Sequence, residues 1–158
     1  MRRTKFAVAL VLVAITAAVV GCTPDAATPP LADASQQPDA AYVARTDDGV
    51  DVVYFEVAKP CDCMAEVGDA IALSVDNNFA TELQNGKLRF FTVVSDDPQN
   101  ESLLKMFEAQ PFDLFIVTQQ GGSSIAEPVY EIWNLMGDNE AISEYVRATV
   151  QASLVSVT

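Results

Sequence analysis

The order of strand and helix patterns along this chain predicts an α/β fold, in which a mixed sheet of about four strands is flanked by helices. The apolar, β-branched run Asp51–Val57 has the length and composition of a strand that is buried on both faces. The sequence after it repeats apolar residues at helical spacing, and these are Met64, Val67, Ile71, Val75, Phe79 and Leu83. Because further strands and helices alternate, we expect the sheet to be at least partly parallel.

Turn and capping residues mark the boundaries of the remaining elements. Asn85-Gly86 is a turn signal, and Asn100 and Asp138 are residue types that accept hydrogen bonds at helix starts. Pro128 suits the first turn of a helix, where an N–H group would have no partner. The further predicted elements are strands at Lys87–Val94, Pro111–Thr118 and Ser124–Ala126, and helices from Asn100 to Ala109, from Pro128 to Gly137 and from Asp138 through Leu154.

The N-terminus predicts export and lipid anchoring. Met1–Lys5 is basic, Phe6–Val20 is apolar except for one threonine, and small residues precede Cys22. This order resembles a bacterial lipoprotein signal peptide at residues 1–21, after which Cys22 is lipidated and becomes the new N-terminus. The alternative is an ordinary signal peptide with a chance cysteine. We therefore expect a domain in the bacterial cell envelope, lipid-anchored to a membrane and outside the cytoplasm.

Residues 22–41 are predicted to be a flexible tether, and residues 42–158 a single domain. The tether is rich in Ala, Pro, Asp, Gln and Thr and has no apolar periodicity. Removal of the signal peptide changes the formal charge from −13 to −16, because Arg2, Arg3 and Lys5 are lost. This acidity argues against nucleic acid as a partner and against electrostatic binding to anionic lipid. The lipid alone is therefore expected to hold the protein at the membrane.

Cys61 and Cys63 are the candidate functional residues. They lie in the run Lys59–Met64, between the first predicted strand and the first predicted helix. A helix N-terminus favours thiolate over thiol, and disulfides persist in exported compartments. Because Cys22 is assigned to the anchor, the two thiols have only each other within the chain. The pair therefore predicts thiol–disulfide exchange.

This arrangement, with thiols at the first strand-to-helix turn and a proline opening the strand after the second helix, resembles the thioredoxin-like fold over roughly residues 50–155. In that family the proline is cis and lies beside the active-site disulfide. The resemblance therefore implies a substrate-binding role for Pro111. By the same analogy, Cys61 would be the attacking thiol and Cys63 the resolving thiol.

Further pieces of sequence occur in a recognisable order, and these are Phe55, Lys59, Asn85-Gly86-Lys87, Asp96-Asp97-Pro98 and Ile132–Asp138. This set is similar to the small bacterial thioredoxin-like proteins known as nitrophenyl compound nitroreductase subunits. That family has Cys-x-x-Cys, whereas this chain has one residue fewer between its cysteines. No Gly-x-Gly-x-x-Gly motif for a flavin or nicotinamide occurs, so we expect no cofactor and do not carry over nitroreduction.

The shortened spacing leaves three functions open. The first is a redox-active dithiol that exchanges with an exported protein or a small-thiol partner, with a strained and therefore oxidising disulfide. The second is a non-enzymatic copper site, since Cys61, Cys63 and Met64 supply soft sulfur ligands and the chain has no histidine. The third is a static disulfide, or a fold retained for partner binding.

Glu56 and Asp113 are candidate proton-transfer residues. Each lies in or at the end of a predicted buried strand, near the cysteine loop in a thioredoxin-like arrangement. A buried carboxylate there would relay protons to the resolving thiol. The alternative is that both are exposed acids at strand edges.

Overall fold

The computed structural model describes residues 42–157, and the predicted signal peptide, Cys22 and the tether lie outside these residues. The described part has the predicted α/β fold, a four-stranded mixed open sheet flanked by helices. Two short 3-10 helices, Pro98–Asn100 and Tyr130–Leu135, lie in the connections. The strands and α-helices in chain order are β1 (Gly49–Glu56), α1 (Asp62–Asn78), α2 (Ala80–Gln84), β2 (Leu88–Val94), α3 (Glu101–Phe107), β3 (Leu114–Gln120), β4 (Ser123–Pro128) and α4 (Asn139–Ser156).

The strand order in the sheet is β2-β1-β3-β4. β1 runs parallel to β2 and antiparallel to β3, and β4 runs antiparallel to β3. The C-terminal ends of β1 and β2 and the N-terminal end of β3 therefore meet at one end of the sheet. We call this the thiol end and define it as residues 56–63, 94–98 and 108–113. The topology is compatible with the thioredoxin-like fold that the sequence resembles.

The two faces of β1 belong to two separate clusters of buried side chains. Val50, Val52 and Tyr54 face α1 and α4 in the larger cluster. Val53 and Phe55 point to the other face, where they pack with residues around α3. This alternation follows from the period of two along a strand, and it confirms that β1 is buried on both faces.

The first helix is shorter than its apolar periodicity predicts. The pattern continues to Leu83, but α1 ends at Asn78, because Phe79 leaves helical geometry with φ −129° and ψ 29°. Phe79 remains buried, and its carbonyl accepts a hydrogen bond from Leu83 N–H at 2.9 Å. The apolar spacing therefore predicts burial correctly, but it does not predict the break in the helix at Phe79.

One proline position and one helix cap also differ from the sequence prediction. Pro128 ends β4 instead of opening a helix, and the segment after it forms only the 3-10 helix. The Asn100 side chain donates to Val94 O at 2.9 Å and does not cap α3. The predicted Asp138 cap is confirmed, since its carboxylate accepts from Ala141 N–H at 3.0 Å.

Within residues 42–157, no helix is long and apolar enough to cross a membrane.

Candidate functional site

Cys61 and Cys63 lie together at the start of α1. Cys61 is the last residue before the helix and has an extended backbone, with φ −70° and ψ 160°, whereas Cys63 belongs to the first turn. Both thiols are exposed and unbonded, and their Sγ atoms are 2.9 Å apart. This distance places each sulfur within hydrogen-bond range of the other. The thiol of one cysteine can therefore donate a hydrogen bond to the thiolate of the other.

The backbone at the helix start leaves the Cys61 sulfur available for chemistry. The Cys61 carbonyl accepts hydrogen bonds from the N–H groups of Met64 and Ala65, each at 2.9 Å, which begins the helical pattern. The capping position is normally filled by a side chain that accepts such bonds, but the Cys61 side chain makes no capping hydrogen bond. The sulfur therefore lies beside the positive end of the helix, where the nearby backbone N–H groups favour its thiolate form.

The two thiols have pKa values that are shifted in opposite directions. The pKa of Cys61 is lowered, first because the Cys63 thiol donates a hydrogen bond to it and second because of the Met64 N–H. The pKa of Cys63 is raised, first by the same hydrogen bond and then by desolvation. Cys61 is therefore the sulfur that ionises first, and Cys63 keeps its proton.

Pro111 lies at the thiol end and is exposed. The segment around it is fixed to β1, because Phe112 N–H donates to Phe55 O at 2.5 Å and Phe55 N–H donates to Asp113 O at 2.9 Å. The resemblance implied a cis bond at Pro111, but residues 42–157 contain no cis peptide bond. The implied cis bond is therefore wrong, and Pro111 lies with a trans bond in the turn before β3.

Asp113 stabilises the turn that contains Pro111. Its carboxylate accepts a hydrogen bond from Gln110 N–H at 2.8 Å, and its own N–H donates to Gln110 O at 3.2 Å. This turn delays the start of β3 to Leu114, three residues later than predicted. Within the turn, Phe112 adopts the left-handed region with φ 72°, and its ring packs against Trp133. The contacts of Asp113 are those of a turn-forming residue.

Glu56 is half-buried at the end of β1, on the face that packs against α1. Its pKa is raised, first by desolvation and then by the negative charge of Asp69 on α1. The neighbouring Tyr54 is buried on the same face, and its hydroxyl has no hydrogen-bond partner among residues 42–157. Gly68 of α1 leaves room for the Tyr54 ring, since a Cβ there would lie 3.2 Å from it. The proton-transfer role of Glu56 stays a prediction.

A groove of about 620 Å³ lies between the β2–α3 connection and α3. Its apolar lining includes Pro98, Leu104 and Ala109, and its carboxylates include Asp97 and Glu108. Asp96 also lines the groove and accepts a hydrogen bond from Ala58 N–H at 2.8 Å. This bond joins the β2–α3 segment to the loop that precedes the cysteines. Most of the residues that line the groove therefore belong to the thiol end.

The structure brings together two of the three sulfur ligands expected for the copper site. Cys61 and Cys63 are exposed, whereas Met64 is 8% exposed and belongs to the buried set. Among residues 42–157, no group of three or more His, Cys, Asp or Glu side chains is arranged to hold a metal ion. A metal at this position would therefore have to complete its coordination with groups other than these.

One polar cluster was not predicted from the sequence, and it lies at the end of the sheet opposite to the thiols. Asp51 in β1 is fully buried and accepts two hydrogen bonds from Arg89, at 2.8 and 2.6 Å. Arg45 is also buried and donates to Asp51, and Gly49 leaves room for its guanidinium group. The available signal was a single aspartate within an apolar strand. The cluster fixes the first residues of the domain to the sheet.

Comparison with known proteins adds no family assignment. No protein-family model matches the chain, and no curated protein matches it.

Proposed function

We propose that this protein is a thioredoxin-like lipoprotein of the nitrophenyl compound nitroreductase subunit type that carries out thiol–disulfide exchange through Cys61 and Cys63. The observation that supports the proposal most directly is the pair of exposed sulfurs, 2.9 Å apart at the start of α1. An S–S bond is about 2.05 Å long, so little movement of either side chain is needed to form one. The oppositely shifted pKa values of the two thiols support the same chemistry.

The proposed reaction proceeds in two exchange steps. The Cys61 thiolate attacks one sulfur of a partner disulfide, forming a mixed disulfide and releasing the other partner sulfur as a thiolate. Cys63 then loses its proton to solvent or to the released thiolate, and its sulfur attacks Cys61. This second step forms the Cys61–Cys63 disulfide and releases the second partner sulfur. The protein is oxidised by two electrons and the partner disulfide is reduced to two thiols, and the reverse sequence oxidises a partner dithiol.

The location and the substrate contacts belong to the same proposal. Cys22 anchors the chain through lipid on the outer side of a bacterial membrane, where exported proteins or small thiols are the partners. Pro111 contributes to substrate binding, because its turn is fixed to the end of β1 by the two hydrogen bonds of Phe55. The exposed position of Pro111 is consistent with contact to a partner.

Redox titration tests the proposal on the exported chain, residues 22–158, with Cys22→Ala. In dithiothreitol buffers of graded potential, we expect a single two-electron transition between dithiol and disulfide, followed by thiol alkylation and mass measurement. Cys63→Ser should accumulate a mixed disulfide with an added partner, because the resolving thiol is absent. The matched variant Cys61→Ser should trap far less. A pair that never cycles, with both thiols alkylated at every potential, would falsify the proposal.

The copper alternative has a distinct result in the same preparation. A copper module would retain one Cu(I) for each reduced chain against a competing chelator, and either cysteine substitution would abolish that retention. The observation that favours it is the same pair of soft sulfur atoms. Copper retention without redox cycling would replace thiol–disulfide exchange as the assigned function.

A further inference from the structure

We infer that the exchange partner carries positive charge beside its disulfide, whether that partner is a small molecule or a polypeptide. This inference rests on the proposed thiol–disulfide exchange and adds the substrate class. It starts from the position of Asp62, which lies between the two cysteines at the first position of α1 and is exposed. Because Asp62 is the next residue after Cys61, its negative charge acts on a disulfide that approaches that sulfur.

The thiol end as a whole has many carboxylates and one cation. Its single positive side chain is Lys59, which is exposed. Three of the carboxylates also bind backbone N–H groups, Asp96 at Ala58, Asp97 at Gln99 and Asp113 at Gln110, so their negative charges are held in place. The carboxylates within the defined residues of the thiol end are Glu56, Asp62, Asp96, Asp97, Glu108 and Asp113.

Positive side chains elsewhere do not offset this charge. Residues 42–157 contain six Lys and Arg side chains, and four of them form ion pairs with carboxylates. Lys105, beside the groove, is paired with Glu101 at 2.6 Å. Lys87 precedes β2 and so lies at the opposite end of the sheet. The net charge of the thiol end is therefore negative.

The groove offers a place for the charged part of the partner. Most of its lining residues belong to the thiol end, its lining is largely apolar, and Asp97 and Glu108 are among its residues. The aliphatic part of a lysine or arginine side chain would pack on Leu104 while its charged group reaches these carboxylates. A cationic flank therefore finds both apolar and electrostatic contacts at the same end of the sheet as the sulfurs.

The test compares three disulfides of different charge on reduced residues 22–158 with Cys22→Ala. The probes are cationic cystamine, neutral hydroxyethyl disulfide and anionic oxidised glutathione. Each rate is divided by the rate of the same disulfide with dithiothreitol, which removes differences in intrinsic reactivity. We expect the normalised rate for cystamine to exceed that for glutathione by about tenfold in low salt. The ratio should fall towards one as salt shortens the range of the charges.

Asp62→Asn and Asp76→Asn form a matched pair of variants on α1. Asp76 lies 14 residues further along, about 21 Å by helical rise, which exceeds the screening length of about 8 Å. Asp62→Asn should lower the cystamine-to-glutathione ratio about twofold or more, whereas Asp76→Asn should leave it unchanged. The ratio is the relevant readout, because any change in thiolate reactivity affects both probes equally.

Two cystine peptides of equal length, one with lysines and one with glutamates beside the disulfide, extend the test to polypeptides. A larger charge preference for the peptides than for the small disulfides would identify a polypeptide partner, and an equal preference would identify a small cation. Equal normalised rates for all probes, or faster reaction with anionic ones, would overturn the charge inference and leave exchange itself intact. Absence of reaction with every disulfide would instead overturn the proposed function.

Discussion

Asp51→Asn is expected to destabilise the domain strongly, because it removes the buried negative charge that pairs with both Arg45 and Arg89. The Asp51 side chain has no solvent exposure, and Arg89 and Arg45 both donate to it. The Arg45 side chain is only 2% exposed. Asparagine preserves the shape of the side chain but leaves the guanidinium groups without their buried counter-charge.

The contacts that remain decide the size of the effect. Loss of one partner from a buried ion pair generally costs about 3–5 kcal/mol. Arg89 is 33% exposed and can turn to solvent, and Arg45 keeps Asp47 at 2.9 Å and the Gly86 carbonyl at 2.6 Å. We therefore expect the lower end of the range, about 3 kcal/mol. For a domain of this size that corresponds to a fall in Tm of about 10–15 °C.

Thermal and urea unfolding, followed by circular dichroism, measure this loss. The m-value should be unchanged, because the same surface is exposed on unfolding. The matched control is Asp47→Asn, which removes the exposed partner of Arg45, and it should change Tm far less. Equal losses in the two variants, or no loss in Asp51→Asn, would show that the buried guanidinium groups do not depend on the Asp51 charge.

Three other predictions concern single titrating or modified groups. Cys63→Ala should raise the midpoint of the pH profile for Cys61 alkylation, because the hydrogen bond that lowers the Cys61 pKa is lost; an unchanged midpoint contradicts this. The raised pKa of Glu56 means that its ionisation opposes folding. Glu56→Gln should therefore stabilise the domain at pH 7, with the gain disappearing on acidification below about 4.5, the ordinary Glu value; a gain independent of pH refutes the sign. Cys22→Ala should move the chain from the membrane fraction to the soluble fraction and abolish lipid labelling, and retained labelling would contradict the anchor.

The placement of the thiols could be predicted from the sequence because it depends on local patterns. An apolar strand followed directly by an amphipathic helix puts the intervening residues at a helix start, and the structure has Cys61 and Cys63 there. The Asp51 cluster could not be predicted in the same way, because it depends on strand register. Asp51 pairs with Arg89 across the parallel β1–β2 ladder, and 38 residues separate them in the chain.

Turn geometry was the other source of error. Pro111, which follows the second predicted helix, was expected to begin β3 directly, but the Asp113 carboxylate binds Gln110 N–H and holds a turn there first. Whether this segment forms a strand or a turn depends on the Asp113 side-chain contact. The presence of an aspartate allows such a contact but does not show that it forms. The break at Phe79 is similar, since burial maintains the apolar spacing while the backbone leaves the helix.

The two sulfurs can meet despite the short spacing of the cysteines because α1 begins between them. Two residues apart within a helix, side chains point in different directions and do not meet. Here the helix begins at Asp62, so Cys63 is helical while Cys61 keeps an extended backbone outside the first turn. That difference in backbone conformation brings the Sγ atoms to 2.9 Å. Moving the helix start by one residue in the N-terminal direction would place both cysteines in the helix and separate their sulfurs. The functional pair therefore depends on the boundary of α1 as much as on the number of residues between the thiols.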